Sequence, residues 1–250
     1  MTKVLLATTM LAGLLSAGAA QAADMPLKAP PRAAPIYSDW TGFYIFGFGG
    51  YSWGRISPDD SDFGDFHNPK PKGGVFGFGG GYNWQYGAWV GGVEVDYGFS
   101  HEKETQSLTF KGPCFDIHDT LVSVSTTCTD SLHSKIDALG SARVRVGYLF
   151  TPNLLAFGTA GLGWGRNELS ESLTQCSTTC GRTVTDSSKQ NLFGWVAGGG
   201  MEWKTPWFEH VRIRGEYLHY DFGSTTYPRL GINAKTTDDV ARGALIWSFN

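Results

Sequence analysis

Beyond its first 22 residues the chain has no run of about 18 or more consecutive apolar residues, so it offers no helix to cross a bilayer. Charge is also scarce. Asp, Glu, Lys and Arg make up 17% of the 250 residues, against roughly 25% in an ordinary soluble domain. The formal net charge is -3, and no basic stripe interleaves with aromatics, which argues against nucleic acid as a partner. The glycine runs at 47–50, 77–81 and 198–200 never complete a G-x-G-x-x-G between a strand and a helix, so a phosphate-binding loop is not indicated. What the chain does have is 34 glycines and 14% aromatics. Glycine at that level disfavours helices, because each one costs backbone entropy.

The N-terminus reads as an export leader. Lys3 gives a short positive region, VLLATTMLAGLLSAGAA an apolar core, and Ala20-Gln21-Ala22 a small-x-small cleavage site, which makes residues 1–22 a signal peptide. No cysteine follows that site, which argues against a lipoprotein. Residues 23–39 carry four prolines and no alternation, the composition of an extended periplasmic tether. Export without a spanning helix leaves a soluble secreted protein or a closed barrel.

From residue 40 to 250 the chain predicts one all-β domain. Eight segments of dyad alternation fall at roughly 40–55, 73–86, 88–100, 135–150, 154–166, 190–204, 210–224 and 237–249. Each is long enough for the roughly 9–11 residues of a tilted membrane strand. The connections alternate long and short: 56–72, 101–134, 167–189 and 225–236 are long, while those at 87, 151–153 and 205–209 are short. That rhythm matches an antiparallel up-and-down transmembrane barrel with short periplasmic turns and long outer loops.

The alternation separates two chemistries. Phe76, Phe78, Val93, Val95, Val144, Val146, Trp195 and Leu245 share a face that carries almost no charge. Lipid demands this, since Arg or Lys there costs about 2–4 kcal/mol at the midplane. Trp84, Tyr86, Trp89, Tyr148, Phe150, Trp203, Trp247 and Phe249 gather at strand ends as an aromatic girdle at the periplasmic rim. The opposite face collects Glu94, Asp96, Glu202 and Glu216 with Arg143, Arg145, Arg212, Arg214 and Arg242. An eight-stranded barrel is just wide enough inside for side chains to fill it, so these charges are expected to pair across the lumen. Gly77, Gly79, Gly81, Gly198 and Gly200 would make room for the long arginines. The first and fifth segments are too uniformly apolar or glycine-rich for a face to be assigned. A soluble lipocalin-like barrel would show the reverse placement, with polar groups outside.

WTGFYIFGFGGYSWG at 40–54, GGGYNWQYGAWVGGVEVDYGFS at 79–100, LGSARVRVGYLF at 139–150, LLAFGTAGLGWG at 154–165, GWVAGGGMEW at 194–203, RGEYLHYDFG at 214–223 and the closing ARGALIWSFN follow one another in a characteristic order. In these blocks the chain resembles the alphaproteobacterial outer-membrane immunogenic and porin-family surface proteins, which share an OmpA-like eight-stranded barrel. The resemblance implies residence in the outer membrane among lipid and lipopolysaccharide, exposed antigenic loops, and a part in envelope integrity. It also implies insertion by the barrel-assembly machinery. Signals for that step usually end in an aromatic; here Asn250 follows Phe249, so recognition would use Trp247 and Phe249. Some members of the family are associated with haem binding or small-solute passage.

Four cysteines fit an oxidising compartment. Cys114 with Cys128, and Cys176 with Cys180, are the favoured disulfides, because each closes a small loop; the rival zinc reading lacks neighbouring histidines at metal-type spacing. His67, His101, His118 and His133 are the residues that a loop-borne haem or metal site would use, against four unrelated solvated histidines. Ser100-His101-Glu102 invites an enzyme reading, but adjacent residues on a strand point to opposite sides, so the run is no triad by itself. No catalytic residue, metal or cofactor is assigned. The favoured reading is a structural, surface-exposed barrel, with a narrow solute pore or a loop-mediated binder of haem or a host ligand as alternatives.

Overall fold

The structure is a computed structural model that describes residues 39–58, 69–110, 114–115, 121–123, 127–176, 180–227 and 232–249. The leader and nearly all of the tether lie outside the described residues. Eight strands close into one barrel: β1 (Gly42–Pro58), β2 (Lys72–Tyr86), β3 (Trp89–Phe110), β6 (Thr127–Thr151), β7 (Leu154–Cys176), β8 (Cys180–Lys204), β9 (Val211–Tyr227) and β10 (Ile232–Ser248). Every barrel neighbour is antiparallel, and β1 pairs with both β2 and β10, so no edge is left. Two short strands, β4 (Cys114–Phe115) and β5 (Leu121–Ser123), form a separate ribbon.

The short connections between β2 and β3, β6 and β7, and β8 and β9 sit at one end of the barrel. Gly87 takes φ 59° in the two-residue turn after Tyr86, a left-handed value that glycine adopts without a Cβ penalty. At the other end the strands run much further than the sequence pattern indicated. Most of 101–110, 127–134, 167–176 and 180–189 is paired strand rather than loop. The reason is composition. In this extension both faces are largely polar, so alternation disappears from the sequence while the ladder continues. Cross-strand hydroxyls confirm the register there: Ser107 faces Ser131 at 2.9 Å, Thr109 faces Thr129 at 3.1 Å and Ser172 faces Thr185 at 3.1 Å.

The outward face is apolar between two aromatic belts. Trp84, Tyr86, Trp89, Tyr148, Phe150, Trp247 and Phe249 are exposed at the short-turn end, and Trp203, half-exposed there, stacks edge-on against Trp207. Trp207 and Phe208, in the 205–210 turn, add to this belt and were not anticipated. A second belt holds Tyr51, Trp53, Phe76, Phe99 and Phe193. Trp89 to Phe99 is ten steps of strand, about 33 Å of path and about 25 Å of height at a tilt near 40°. That equals the apolar band of an outer-membrane barrel.

Candidate functional site: the barrel interior

The interior is built in layers. At the short-turn end Trp40 is buried with Val90, Leu149 and Leu155. Its backbone N–H donates to the Gln85 side-chain oxygen at 2.8 Å, and its indole N–H donates to the Pro152 carbonyl at 3.2 Å. This ring closes the periplasmic mouth.

Above it lies the charge cluster. All nine predicted charges point inward and none is more than 6% exposed. Their strand register explains the meeting: Glu94 sits opposite Arg143, Glu202 opposite Arg214, and Glu216 opposite Arg242. Arg143 reaches Glu94, Asp96 at 2.8 Å and Glu216 at 3.1 Å. Arg214 reaches Glu94 at 2.7 Å and Glu202 at 3.1 Å. Arg242 joins Asp96 at 2.8 Å and Glu216 at 2.9 Å. Arg145 and Arg212 close on Glu202 at 3.0 and 2.9 Å. Each acid therefore contacts at least two arginines. Tyr44 donates to Glu94 at 2.8 Å and Ser141 to Asp96 at 2.9 Å, each adding a hydroxyl to a carboxylate oxygen that already accepts from arginine.

Aromatic rings line the same space. The Arg242 guanidinium lies 4.0 Å from the Phe48 ring centre, Arg145 4.1 Å from Phe157, and Arg214 5.0 Å from Phe46. Such contacts add attraction where water is absent. These partners come from β1 and β7, the two strands whose faces the sequence left unassigned. Their placement also corrects the expected role of the inward glycines. A Cβ on Gly77, Gly79 or Gly81 would lie 2.6, 2.4 and 2.6 Å from Phe48 Cζ, Phe46 Cζ and the Tyr44 hydroxyl. Gly198 and Gly200 abut the backbone of β9, their Cβ positions 2.0 Å from the Tyr217 and 2.3 Å from the Gly215 carbonyl oxygens. The glycines make room for β1 rings and neighbouring backbone rather than for arginine.

Above the charge cluster the lumen is apolar again, with Leu139, Leu192, Val196, Leu218 and Phe222 in one buried cluster. Next comes a pair of acids that the sequence reading missed. Glu102 and Asp238 are both fully buried; Ser100 donates to Glu102 at 2.6 Å and Ser52 to Asp238 at 3.2 Å. No described base lies within ion-pair distance of either. Parity with Arg242 could have pointed Asp238 inward, whereas Glu102 was hidden in an assumed loop. A last apolar layer of Ile56, Leu169, Tyr227 and Ala234 follows, with Asn167 donating to the Tyr227 hydroxyl at 2.9 Å.

The other candidates are dispersed. Ser100 and Glu102 face inward while His101 faces out and stacks on Phe76 at 5.7 Å. His133 is on the outer wall against Thr105, and His67 and His118 lie outside the described residues. Among the described residues no group of three His, Cys, Asp or Glu is arranged to hold a metal. The cysteine side chains also lie outside the described residues; the backbone register places Cys176 opposite Cys180, and Cys114 opposite Ser123.

A closed antiparallel barrel with rings outside, ions inside and two aromatic belts is a transmembrane β-barrel. The family model of the outer membrane protein beta-barrel domain matches residues 9–245. The chain belongs to that family and is an outer-membrane protein. It is 27% identical over 213 residues to the 31 kDa outer-membrane immunogenic protein of Brucella melitensis, covering 83% of this chain and 82% of that one. It is 32% identical over 204 residues to the 22 kDa outer membrane protein of Rhizobium leguminosarum, covering 80% and 71%. Among solved structures it aligns with Neisserial surface protein A over 84% of this chain and 98% of that one, at 14% identity and a TM-score of 0.38.

Proposed function

We propose that this protein is a sealed, non-catalytic scaffold of the outer membrane that contributes to envelope integrity and displays its outer strands at the cell surface. The carrying observation is the filled lumen: Trp40 and its apolar neighbours below, the nine-charge cluster in the middle, and apolar layers above. An aqueous path would have to break ion pairs in which every acid is held by at least two arginines, at a cost of several kcal/mol. The interior thus stands in for a hydrophobic core, with the ions giving register and the rings giving packing.

The test is single-channel recording of refolded full-length protein in a planar bilayer. The reading expects a baseline without steady steps in molar salt, for the parent and for a loop-trimmed variant alike. Stable conductance in the parent would support the narrow-pore alternative instead.

A further inference from the structure

Just beyond the outer aromatic belt, the outward faces of β2, β3 and β6 carry a row of lysines. Lys72 is the direct register partner of Lys103, and Lys103 of Lys135. Like charges directly opposite one another destabilise a sheet. The row continues into β1, where backbone bonds from Gly54 to Pro71 and from Ile56 to Pro69 bring Arg55 beside Lys70. Arg55, Lys70, Lys72 and Lys103 are exposed, and no described acid forms an ion pair with their side chains; the Glu104 carboxylate accepts from the Lys70 backbone N–H instead. Only the Lys135 side chain has acidic neighbours: Asp137 at 2.5 Å, whose hydrogen bond raises the lysine pKa, and Glu168, its register partner on β7.

The rest of this rim is different. Lys235 pairs with Asp221 at 3.0 Å, Lys189 with Glu168 at 3.3 Å, and His219 with Asp239 at 2.7 Å. Among the described residues the exposed cations of this rim that lack an ion pair lie on the β1–β2–β3 side, with Arg166 on β7 beyond β6. Along β2 and β3, Lys72 and Lys103 stand four residues beyond Phe76 and Phe99, about 13 Å of strand and about 10 Å of height. Lysine stems snorkel along apolar surface, which brings the ammonium groups down to the headgroup level of the outer leaflet. The three register partners span about 10 Å, two strand spacings.

We propose that Lys72, Lys103 and Lys135, flanked by Arg55 and Lys70, form a binding site for the anionic head of an outer-leaflet glycolipid, the lipid A portion of lipopolysaccharide. A disaccharide head with an anionic group at each end matches a row of this length, whereas one phosphodiester satisfies only part of it. Phosphate oxygens accept charge-assisted hydrogen bonds from the ammonium groups and offset their mutual repulsion. The acyl chains then lie against Trp53, Phe76 and Phe99. This inference rests on the outer-membrane location and is independent of whether the lumen conducts.

Native mass spectrometry of the full chain, folded in a neutral detergent, tests it. The probes are diphosphoryl lipid A, the same lipid dephosphorylated, phosphatidylglycerol and inorganic phosphate. Diphosphoryl lipid A is expected to be retained, the other two lipids much less, and millimolar phosphate is expected not to displace it. Each surface lysine contributes about five-fold in affinity, so the K72Q/K103Q/K135Q variant is expected to bind on the order of a hundred-fold more weakly. The paired-lysine control K189Q/K235Q is expected to bind like the parent. In lipid-free detergent the triple variant is expected to melt no lower than the parent, since it loses only repulsion and one exposed pair. Parent-like lipid A binding by the triple variant would overturn the proposal. So would equal retention of dephosphorylated lipid or phosphatidylglycerol, displacement by free phosphate, an equal loss in the control, or a lowered melting temperature.

Discussion

Replacing Glu94 with Ala tests the lumen network most sharply, because its cost should exceed that of Arg143→Ala even though the two residues contact each other. Glu94 touches Arg143, Arg145 at 3.6 Å and Arg214 at 2.7 Å, and accepts from Tyr44. Without it the cluster holds five arginines against three acids. Each of the three arginines keeps another acid, but the buried cluster is left with two net positive charges, and breaking buried pairs typically costs about 3–5 kcal/mol. Arg143→Ala leaves four against four. Glu94 then keeps Arg214, Asp96 keeps Arg242 at 2.8 Å, and Glu216 keeps Arg242 at 2.9 Å. Its expected cost is about 1–3 kcal/mol, the size of one lost charged hydrogen-bonding group. Equilibrium urea unfolding in detergent micelles, followed by the fluorescence of the nine tryptophans, reads both. With a slope near 2 kcal/mol per molar urea, the Glu94→Ala midpoint should fall by about 1.5–2.5 M. The double variant should be less than additive, since the two side chains share partners. Parent-like midpoints, or a larger loss for Arg143→Ala, would refute the reasoning.

Gly79→Val should prevent folding, because its Cβ would stand 2.6 Å from the Val95 carbonyl oxygen as well as 2.4 Å from Phe46 Cζ; an unheated gel should show only the unfolded band, and a compact band would contradict the packing. Asp238→Asn should raise the urea midpoint. Burial and Glu102 push the Asp238 pKa well above the usual carboxylate range, so the amide removes the cost of protonating a buried acid near neutral pH, keeps the Ser52 bond and can donate to Glu102, a gain of about 1 kcal/mol or more; a lowered midpoint would show that Asp238 is held ionised and compensated.

The parts of this fold that were legible in the sequence are those where lipid and lumen impose opposite chemistries. In Gly92–Gly98 and Ser141–Gly147, Val alternates with Glu, Asp and Arg, and only one orientation is tolerable in a membrane. FYIFGFGG at 43–50 gave no such signal, because rings and glycine are acceptable on either side. What turns Tyr44, Phe46 and Phe48 inward is space beside Gly77, Gly79 and Gly81 on the next strand, a long-range fact that no local pattern carries. The outer extensions were unreadable for the opposite reason: their buried inner face mixes Glu102, Ser134, Asn167 and Ser188 with leucines while the outer face is polar, so the period fades. Glu102 was lost with them, and so was the alignment of Lys72, Lys103 and Lys135, which register alone reveals.

Membrane residence depends on the direction in which alternate side chains point along the spanning strands. Nitroxide scanning of residues 93–99 on β3, in liposomes and on a background with the four native cysteines replaced by serine, measures this directly. High oxygen accessibility is predicted at Val93, Val95, Tyr97 and Phe99, with minima at Glu94, Asp96 and Gly98. A flat profile, or maxima at the acidic positions, would contradict it.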